Sequence, residues 1–328
     1  MGHLQKSFDR RTFLRATART TVAVAAASVV GASAASASAA PAAGAPSRLP
    51  IPKNRVSIQL YSVRDKVTSL GFAVVLPELA RMGYNEVEFA GYTQNTSILG
   101  RQITPKEIRR ILDDNGLRAT GSHVGLGNFA GNLEGELDTA EILGMPHVGT
   151  ANAPSGTNTV AAYQAAAEDF NEWGRAATAR GLKLYQHNHS GEFAFASDQP
   201  SVRLYDVFLR NTDPRYVYLE MDVYWAFVGQ YRYPGFEPAA YVRDQPYRYP
   251  LFHLKDGVSA PGSGDGYSMV EFGAGDLPYE RFVRDIGPRD SHIGIYEQDN
   301  AVNTLPNPPG SLGAAERSLG GIKRLLGA

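Results

Sequence analysis

The chain has 328 residues, 32 Lys plus Arg against 33 Asp plus Glu, a formal charge of −1 and no cysteine. The near-balance of charge excludes a strongly basic nucleic-acid face. The missing cysteines exclude disulfides and thiolate metal ligands, so a metal site must be built from His, Asp, Glu or similar groups.

The N-terminal stretch reads as a targeting segment. It runs from "SFDRRTFLRATARTT" through an apolar Ala/Val-rich run to "ASAASASAAPAAGAPS". A basic stretch, a short apolar region and small-residue A-x-A sites make an export signal. Arg10 and Arg11 followed by "TFLRA" look like a twin-arginine signal, with cleavage expected around Ala35 to Ala40. The apolar run is too short and too rich in Ala, Ser and Thr for a membrane anchor, so no stable membrane insertion is expected. The expected destination is extracellular, periplasmic or the cell envelope. Lys6, Arg10, Arg11, Arg15 and Arg19 against Asp9 give residues 1–40 a charge of +4, which leaves −5 for the rest. Residues 41–54 read as a linker and 55–328 as one catalytic domain.

From Val56 onward short β-like runs alternate with helical spacing. "VSIQLYS" (56–62) precedes "GFAVVLPELARMG". "EVEFAGY" (86–92) precedes "TPKEIRRILDDNG", where Thr104, Pro105 and Glu107 form a helix start. "RATGSHV" (118–124) precedes a helix around "LDTAEILGM". "HVGTAN" (147–152) precedes the long "TVAAYQAAAEDFNEWGRAATARG". The second half continues with "LKLYQHN" (182–188) and "SVRLYDVFLRN", then "YVYLEMD" (216–222) and "EPAAYVRD". "PLFHLKD" (250–256), a glycine-rich loop and "LPYERFVRDIG" follow, and the last pair is "HIGIYEQD" (292–299) and "GSLGAAERSLGGIKRLLG". Eight such units predict an α/β fold, a single-domain (β/α)8 TIM barrel. An open doubly wound sheet would carry a glycine-rich first turn, and none follows "IQLYS".

Chemistry gathers at strand ends, where barrel enzymes act. "HNH" closes the fifth run with His187, Asn188 and His189. The sixth ends in Glu220 and Asp222, the seventh in His253, Lys255 and Asp256, the eighth in Glu297, Gln298 and Asp299. Neighbouring strands lie about 4.8 Å apart, so four consecutive strands bring these groups to one quadrant of the mouth. Oxygen and imidazole donors converging from rigid elements suit a divalent ion. The expected ligands are His187, Asp222, His253 and Glu297. Alternation places Lys255 on the face of His253 and His189 on the face of His187. Taken singly, a strand-end His reads as a structural hydrogen-bonding residue and a lone Asp as a helix cap. Glu88, His123, Gln59 and Trp225 are expected as substrate contacts. Glu88 and His123 read equally as satisfied polar residues inside the barrel. Trp225, with Tyr224, reads as an apolar sugar platform or as packing under a loop. "GAGDLPYERF" (273–282) reads as a loop entering a helix, not a phosphate loop.

"YQHNHSGEF", "LEMDVYWA", "FHLKDG", "FGAGDLPYERF" and "YEQD" resemble the xylose-isomerase-like TIM-barrel superfamily of sugar phosphate isomerases and epimerases, from about Val56 onward. In its epimerases the metal ligands are Glu, Asp, His and Glu on strands five to eight. Asp222, His253 and Glu297 match, whereas strand five carries His187 where those enzymes carry Glu. Glu192, five residues on, is an alternative ligand. The resemblance implies one divalent ion (Mn, Co, Mg, Zn or Fe) and a small carbohydrate substrate, with no nucleic-acid partner. It implies an isomerase or epimerase, or a lyase or dehydratase, working through an enediolate. Glu297 or His189 would move the proton, and Lys255 would stabilise the developing charge. A "H-x-H" ending on strand five also resembles inosose dehydratase and tilts the reading toward the lyases. A non-catalytic sugar-binding barrel is the alternative. A nuclease of the endonuclease IV type would need more ligands and a basic face.

Overall fold

The computed structural model describes residues 50–327. The export segment, with Arg10 and Arg11, and nearly all of the linker lie outside the described residues. The strands are β1 Val56–Gln59, β2 Glu86–Phe89, β3 Arg118–Ser122, β4 His147–Thr150, β5 Lys183–His187, β6 Val217–Asp222, β7 Leu251–Leu254, β8 Asp256–Ser259, β9 Tyr267–Val270 and β10 Ile293–Tyr296. The helices are α1 Arg64–Leu70, α2 Phe72–Met82, α3 Pro105–Asp114, α4 Leu126–Leu143, α5 Val160–Ala179, α6 Leu204–Asn211, α7 Val223–Arg232, α8 Pro238–Asp244, α9 Tyr279–Ile286 and α10 Gly310–Leu325.

Eight strands form one parallel sheet in the order β3-β2-β1-β10-β7-β6-β5-β4. A parallel bridge between His123 and Gly149 joins its two edges, so the sheet curls into a nearly closed barrel. This is the expected (β/α)8 TIM barrel, a single domain.

The helices cover the barrel because each buries one apolar stripe. α3 shows the local logic. Thr104 Oγ1 accepts from the Glu107 N–H at 3.3 Å, and Glu107 Oε2 accepts from the Thr104 N–H at 2.9 Å. That capping box satisfies two otherwise orphaned donors. Ile108 and Leu112 then face the core, both fully buried.

A small apolar layer fills the barrel itself. Tyr185, Leu251, Ile293 and Ile295 form it, with the half-buried Tyr218 packed against it. The Tyr185 ring needs room, and glycine supplies it. A Cβ on Gly149 would meet the Tyr185 ring at 2.5 Å. Tyr185 Oη donates to Glu88 Oε1 and contacts the Ser122 carbonyl at 3.0 Å. The apolar layer therefore supports the polar one above it.

Three elements differ from the sequence expectation. β1 ends at Gln59, and residues Leu60–Val63 form a 3-10 turn. Helix α7 begins directly after β6, where a loop was expected, because Asp222 Oδ1 caps it by accepting from the Trp225 N–H at 2.9 Å. Its run of Val, Tyr, Trp and Phe has strand-like propensity, which hides a helix. Between β7 and α9 the expected loop contains the antiparallel hairpin β8–β9, paired from Asp256 with Val270 to Ser259 with Tyr267.

Candidate active site

Four neighbouring strands, β5, β6, β7 and β10, end in titratable groups that meet inside the C-terminal mouth. With His123, which follows β3, two overlapping clusters result: His123, His187, Glu220 and His253 below, and His187, Asp222, His253 and Glu297 above. Within each cluster the candidate ligand atoms lie within 4.8 Å of one another. The upper cluster is the ligand set expected from the sequence.

The lower layer is a hydrogen-bonded hub on one oxygen. Glu220 Oε2 stands 2.8 Å from His123 Nε2, 3.0 Å from His187 Nδ1 and 3.2 Å from His253 Nε2. Burial works to raise the Glu220 pKa, but the positive His253 and the three imidazole contacts override it and hold the carboxyl well below its usual range. Glu88, also fully buried, lies 2.7 Å from His253 Nε2 and accepts from Gln59 Nε2 at 2.9 Å. Burial and the Glu220 charge raise its pKa. Carboxylates flank both nitrogens of His253, because Glu297 Oε2 is 2.8 Å from Nδ1. Burial opposes its charge, but Glu220, Glu88 and Glu297 outweigh burial and push its pKa well up, so His253 is an imidazolium.

The upper layer has two acceptors with no proton between them. His187 donates through Nδ1 to Glu220, and burial plus the positive His253 push its pKa well down, so the ring is neutral. Its bare Nε2 faces Asp222 Oδ2 at 3.5 Å. Asp222 Oδ2 accepts no well-directed hydrogen bond, although Lys255 Nζ is 3.1 Å away. Two ligands on one tetrahedral ion stand roughly 3.4 Å apart at bond lengths near 2.1 Å. A lone pair facing an orphaned carboxylate oxygen, both buried, is a site that a cation relieves. The donor set of imidazole and carboxylate suits a divalent ion. Glu220 and Glu88 beneath would hold the far nitrogens of His187 and His253, as outer carboxylates do for metal-bound histidines.

Above this layer opens a pocket of about 360 Å³, whose lining includes Tyr61, His123, His189, Lys255, Glu297 and Asp299. Lys255 Nζ sits 2.8 Å from Glu297, 3.0 Å from Asp299 and 3.1 Å from Asp222. Burial opposes its charge, but the three carboxylates outweigh burial and raise its pKa well above the usual lysine range. Burial and the Lys255 charge lower the His189 pKa to about 4, so its ring is neutral at pH 7. The Trp225 ring lies against His189, centroids 5.9 Å apart, and 5.8 Å from Lys255 Nζ. A larger cavity of about 650 Å³ lies on the outer side between α9 and α10. None of the clustered histidines lines it, so the chemistry belongs to the mouth.

The placements sort the expected site residues. His187, Asp222, His253 and Glu297 come together, with Lys255 and His189 beside them and His123 in the lining. Gln59 and Glu88, expected as substrate contacts, lie in the layer under the pocket, fully buried. Gln59 Oε1 accepts from the Tyr61 N–H, and the 3-10 turn brings Tyr61 to the mouth instead. Glu192 joins neither cluster. Its Oε2 accepts from the His189 N–H at 3.0 Å, and burial raises its pKa to about 7. Sequence reasoning passed over Glu220 as a site residue. Its signal was parity, since Glu220 and Asp222 share a face of β6.

Residues 76–316 match the sequence profile of the xylose isomerase-like TIM barrel family. The chain belongs to that family. No curated protein sequence matches this xylose isomerase-like barrel. Among solved structures it resembles a sugar phosphate isomerase/epimerase from Parabacteroides distasonis, at 23% identity and TM-score 0.60 over 85% of this chain and 94% of that one. It also resembles the IOLI protein with a bound zinc atom, at 11% identity and TM-score 0.62 over 83% and 98%. A third is the probable 3-DHS dehydratase AsbF from Bacillus anthracis, at 14% identity and TM-score 0.59 over 82% and 98%. At these identities the likeness is one of fold. No described helix is long and apolar enough to cross a membrane.

Proposed function

We propose that this xylose isomerase-like barrel is a divalent-metal-dependent isomerase or epimerase, or a lyase or dehydratase, acting on a sugar or keto-sugar through an enediolate. The observation that carries the reading is the buried Asp222 Oδ2, which accepts no well-directed hydrogen bond and lies 3.5 Å from His187 Nε2, flanked by His253 and Glu297 at the floor of a pocket holding Lys255 and His189.

His187, Asp222, His253 and Glu297 would hold the ion. When bound it supplies Lewis acidity, which makes the C–H beside a carbonyl easier to deprotonate. His189 takes that proton: its ring lines the pocket, is neutral at pH 7 and makes no side-chain hydrogen bond among the described residues. Glu297, the other candidate base, is already engaged by His253 and Lys255 at 2.8 Å each. Lys255, held charged by three carboxylates, donates to the oxygen where negative charge develops. Trp225 offers an apolar face for the C–H side of the sugar. Return of the proton gives an isomer or epimer, and loss of a β-substituent gives a lyase product. Residues 1–40 are proposed as a twin-arginine export signal, which cell fractionation and N-terminal sequencing of the mature protein test.

The test of the reaction is solvent exchange. The protein supplied with Mn²⁺ or Co²⁺ is incubated with ketoses in D₂O and followed by NMR. Deuterium entering at the carbon beside the carbonyl is expected, with a drop of 100-fold or more in His189→Gln, on the scale of general-base loss. Saturable sugar binding without exchange into any ketose would favour a non-catalytic binding barrel.

A further inference from the structure

We propose that the mouth admits a neutral, unphosphorylated polyol and rejects its phosphate ester, with Asp299 as the residue that sets this preference. The inference rests on reading the mouth as the substrate site. It concerns charge, and so is separable from the reaction performed there.

The pocket and its floor contain five carboxylates: Glu88, Glu220, Asp222, Glu297 and Asp299. All are tied to the same cluster by contacts of 3.2 Å or less. Against them stand the Lys255 ammonium and His123, where burial opposes the charge but Glu88 and Glu220 raise the pKa. Even with His123 charged and one divalent ion held by neutral His187 and His253, five negative charges meet four positive ones, and the site keeps a formal charge of −1. Lys255 alone cannot balance a phosphate dianion, because its single charge is already shared among Asp222, Glu297 and Asp299.

Asp299 is the outermost of these acids and the one facing incoming substrate. Its side chain is 32% exposed and lines the pocket. Its backbone is fixed on both sides. The Asp299 N–H donates to Met269 Sδ at 3.2 Å, and its carbonyl accepts from Arg64 Nη2 at 3.1 Å. One carboxylate oxygen holds Lys255, which leaves the other to accept a hydroxyl proton. The guanidinium at the rim, Arg64, does not line the pocket. It stacks over the Tyr61 ring, 3.8 Å from the centroid, and spends its donors on the carbonyls of Tyr61 and Asp299. A phosphate site needs a cradle of N–H donors or unpaired cations. Here a phosphate carrying about −1.5 to −2 would meet an acid. A polyol presents hydroxyls, which a carboxylate accepts well.

The test is binding, read by calorimetry at low ionic strength on the Mn²⁺-supplied protein. The probes are D-fructose, D-tagatose and D-ribulose against their terminal monophosphates. Wild type is expected to bind the tightest free sugar at least tenfold better than its phosphate. Removing one charge roughly 6 Å from a phosphate dianion at the solvated mouth is worth about tenfold, so Asp299→Asn narrows the gap by that factor. If that variant fails to fold, salt on wild type serves instead, because screening raises phosphate affinity relative to the free sugar. Phosphates that bind as tightly as free sugars, or neither class binding at tens of millimolar, would overturn the inference. Free sugars binding without deuterium exchange would leave it standing and remove the enolisation reading. Exchange into phosphates alone would do the reverse.

Discussion

Glu220→Gln separates the two layers of the cluster. The change keeps shape and removes one buried charge. Glu220 Oε2 faces His123, His187 and His253 at 2.8, 3.0 and 3.2 Å, and the residue is fully buried. Breaking a buried ion pair costs about 3–5 kcal/mol, and the lower end applies because His123 and His253 can shed protons. With unfolding entropy near 2.1 cal/mol/K per residue, about 3 kcal/mol lowers Tm by on the order of 5 °C for a domain of this size. With the ion in the upper layer, Glu220 orients His187 and His253 without binding it. Its loss therefore weakens metal affinity by about 10- to 100-fold while keeping one site per chain. Calorimetric titration with Mn²⁺ or Zn²⁺ reads affinity and stoichiometry together, and scanning calorimetry reads Tm. If Glu220→Gln reduced the stoichiometry to zero while Asp222→Asn kept one tight site, the lower cluster would hold the ion and the layer assignment would be wrong.

Buried neutral histidines should make the fold acid-sensitive. The pKa of His147 is lowered to about 4 by burial, and its Nδ1–H donates to the Thr120 carbonyl at 3.0 Å. Between pH 4 and 6.5 the unfolded chain holds a proton there that the folded one does not, so stability rises with pH across that window and is lost on acidification, by up to ~3 kcal/mol. His292, also lowered to about 4, acts in the same direction. Asp222 and Glu192, raised to about 6 and 7, act in the opposite one. Urea denaturation against pH of wild type minus His147→Gln isolates the term, and a pH-independent difference would contradict it. Gly149→Ala drives a methyl to 2.5 Å from both the Tyr185 ring and the Tyr185 carbonyl oxygen and should cost about 3 kcal/mol. Tyr185→Leu in the same chain should recover the ring's part of that loss in a double-mutant cycle, and strict additivity would argue against a clash with the ring.

Much of this site was legible because successive residues of a barrel strand alternate faces. Parity alone put His253 beside Lys255 and sent Asp256 outward, where it accepts from the N–H groups of Gly257, Gly273 and Gly275 at 2.8, 2.9 and 3.2 Å. Strand adjacency did the rest for His187, Asp222 and Glu297. Alternation fails where a strand stops, and Gln59 shows why. The 3-10 turn after it exchanges the buried Gln59 for Tyr61 at the mouth. Depth was also invisible. Glu220 and Asp222 share a face, and only the three-dimensional layering makes one a hub and the other an orphaned acceptor. Asp222 answers both sequence readings at once, because Oδ1 caps α7 and Oδ2 faces the site. Helix α7 escaped notice because its aromatic and β-branched residues mask helical spacing, and its cap sits at the end of a strand.

The proposed metal centre in the upper layer underlies both the proposed reaction and the charge balance argued for the mouth, and the metal content of the protein decides whether it exists. The samples are purified wild type, Asp222→Asn, His253→Ala and Glu192→Gln, measured by elemental mass spectrometry. About one divalent ion per chain is expected in wild type and Glu192→Gln, and close to none in Asp222→Asn and His253→Ala. A wild type that holds no ion when supplied with one, or an Asp222→Asn variant that holds as much as wild type, would contradict a metal centre built on Asp222 and His253.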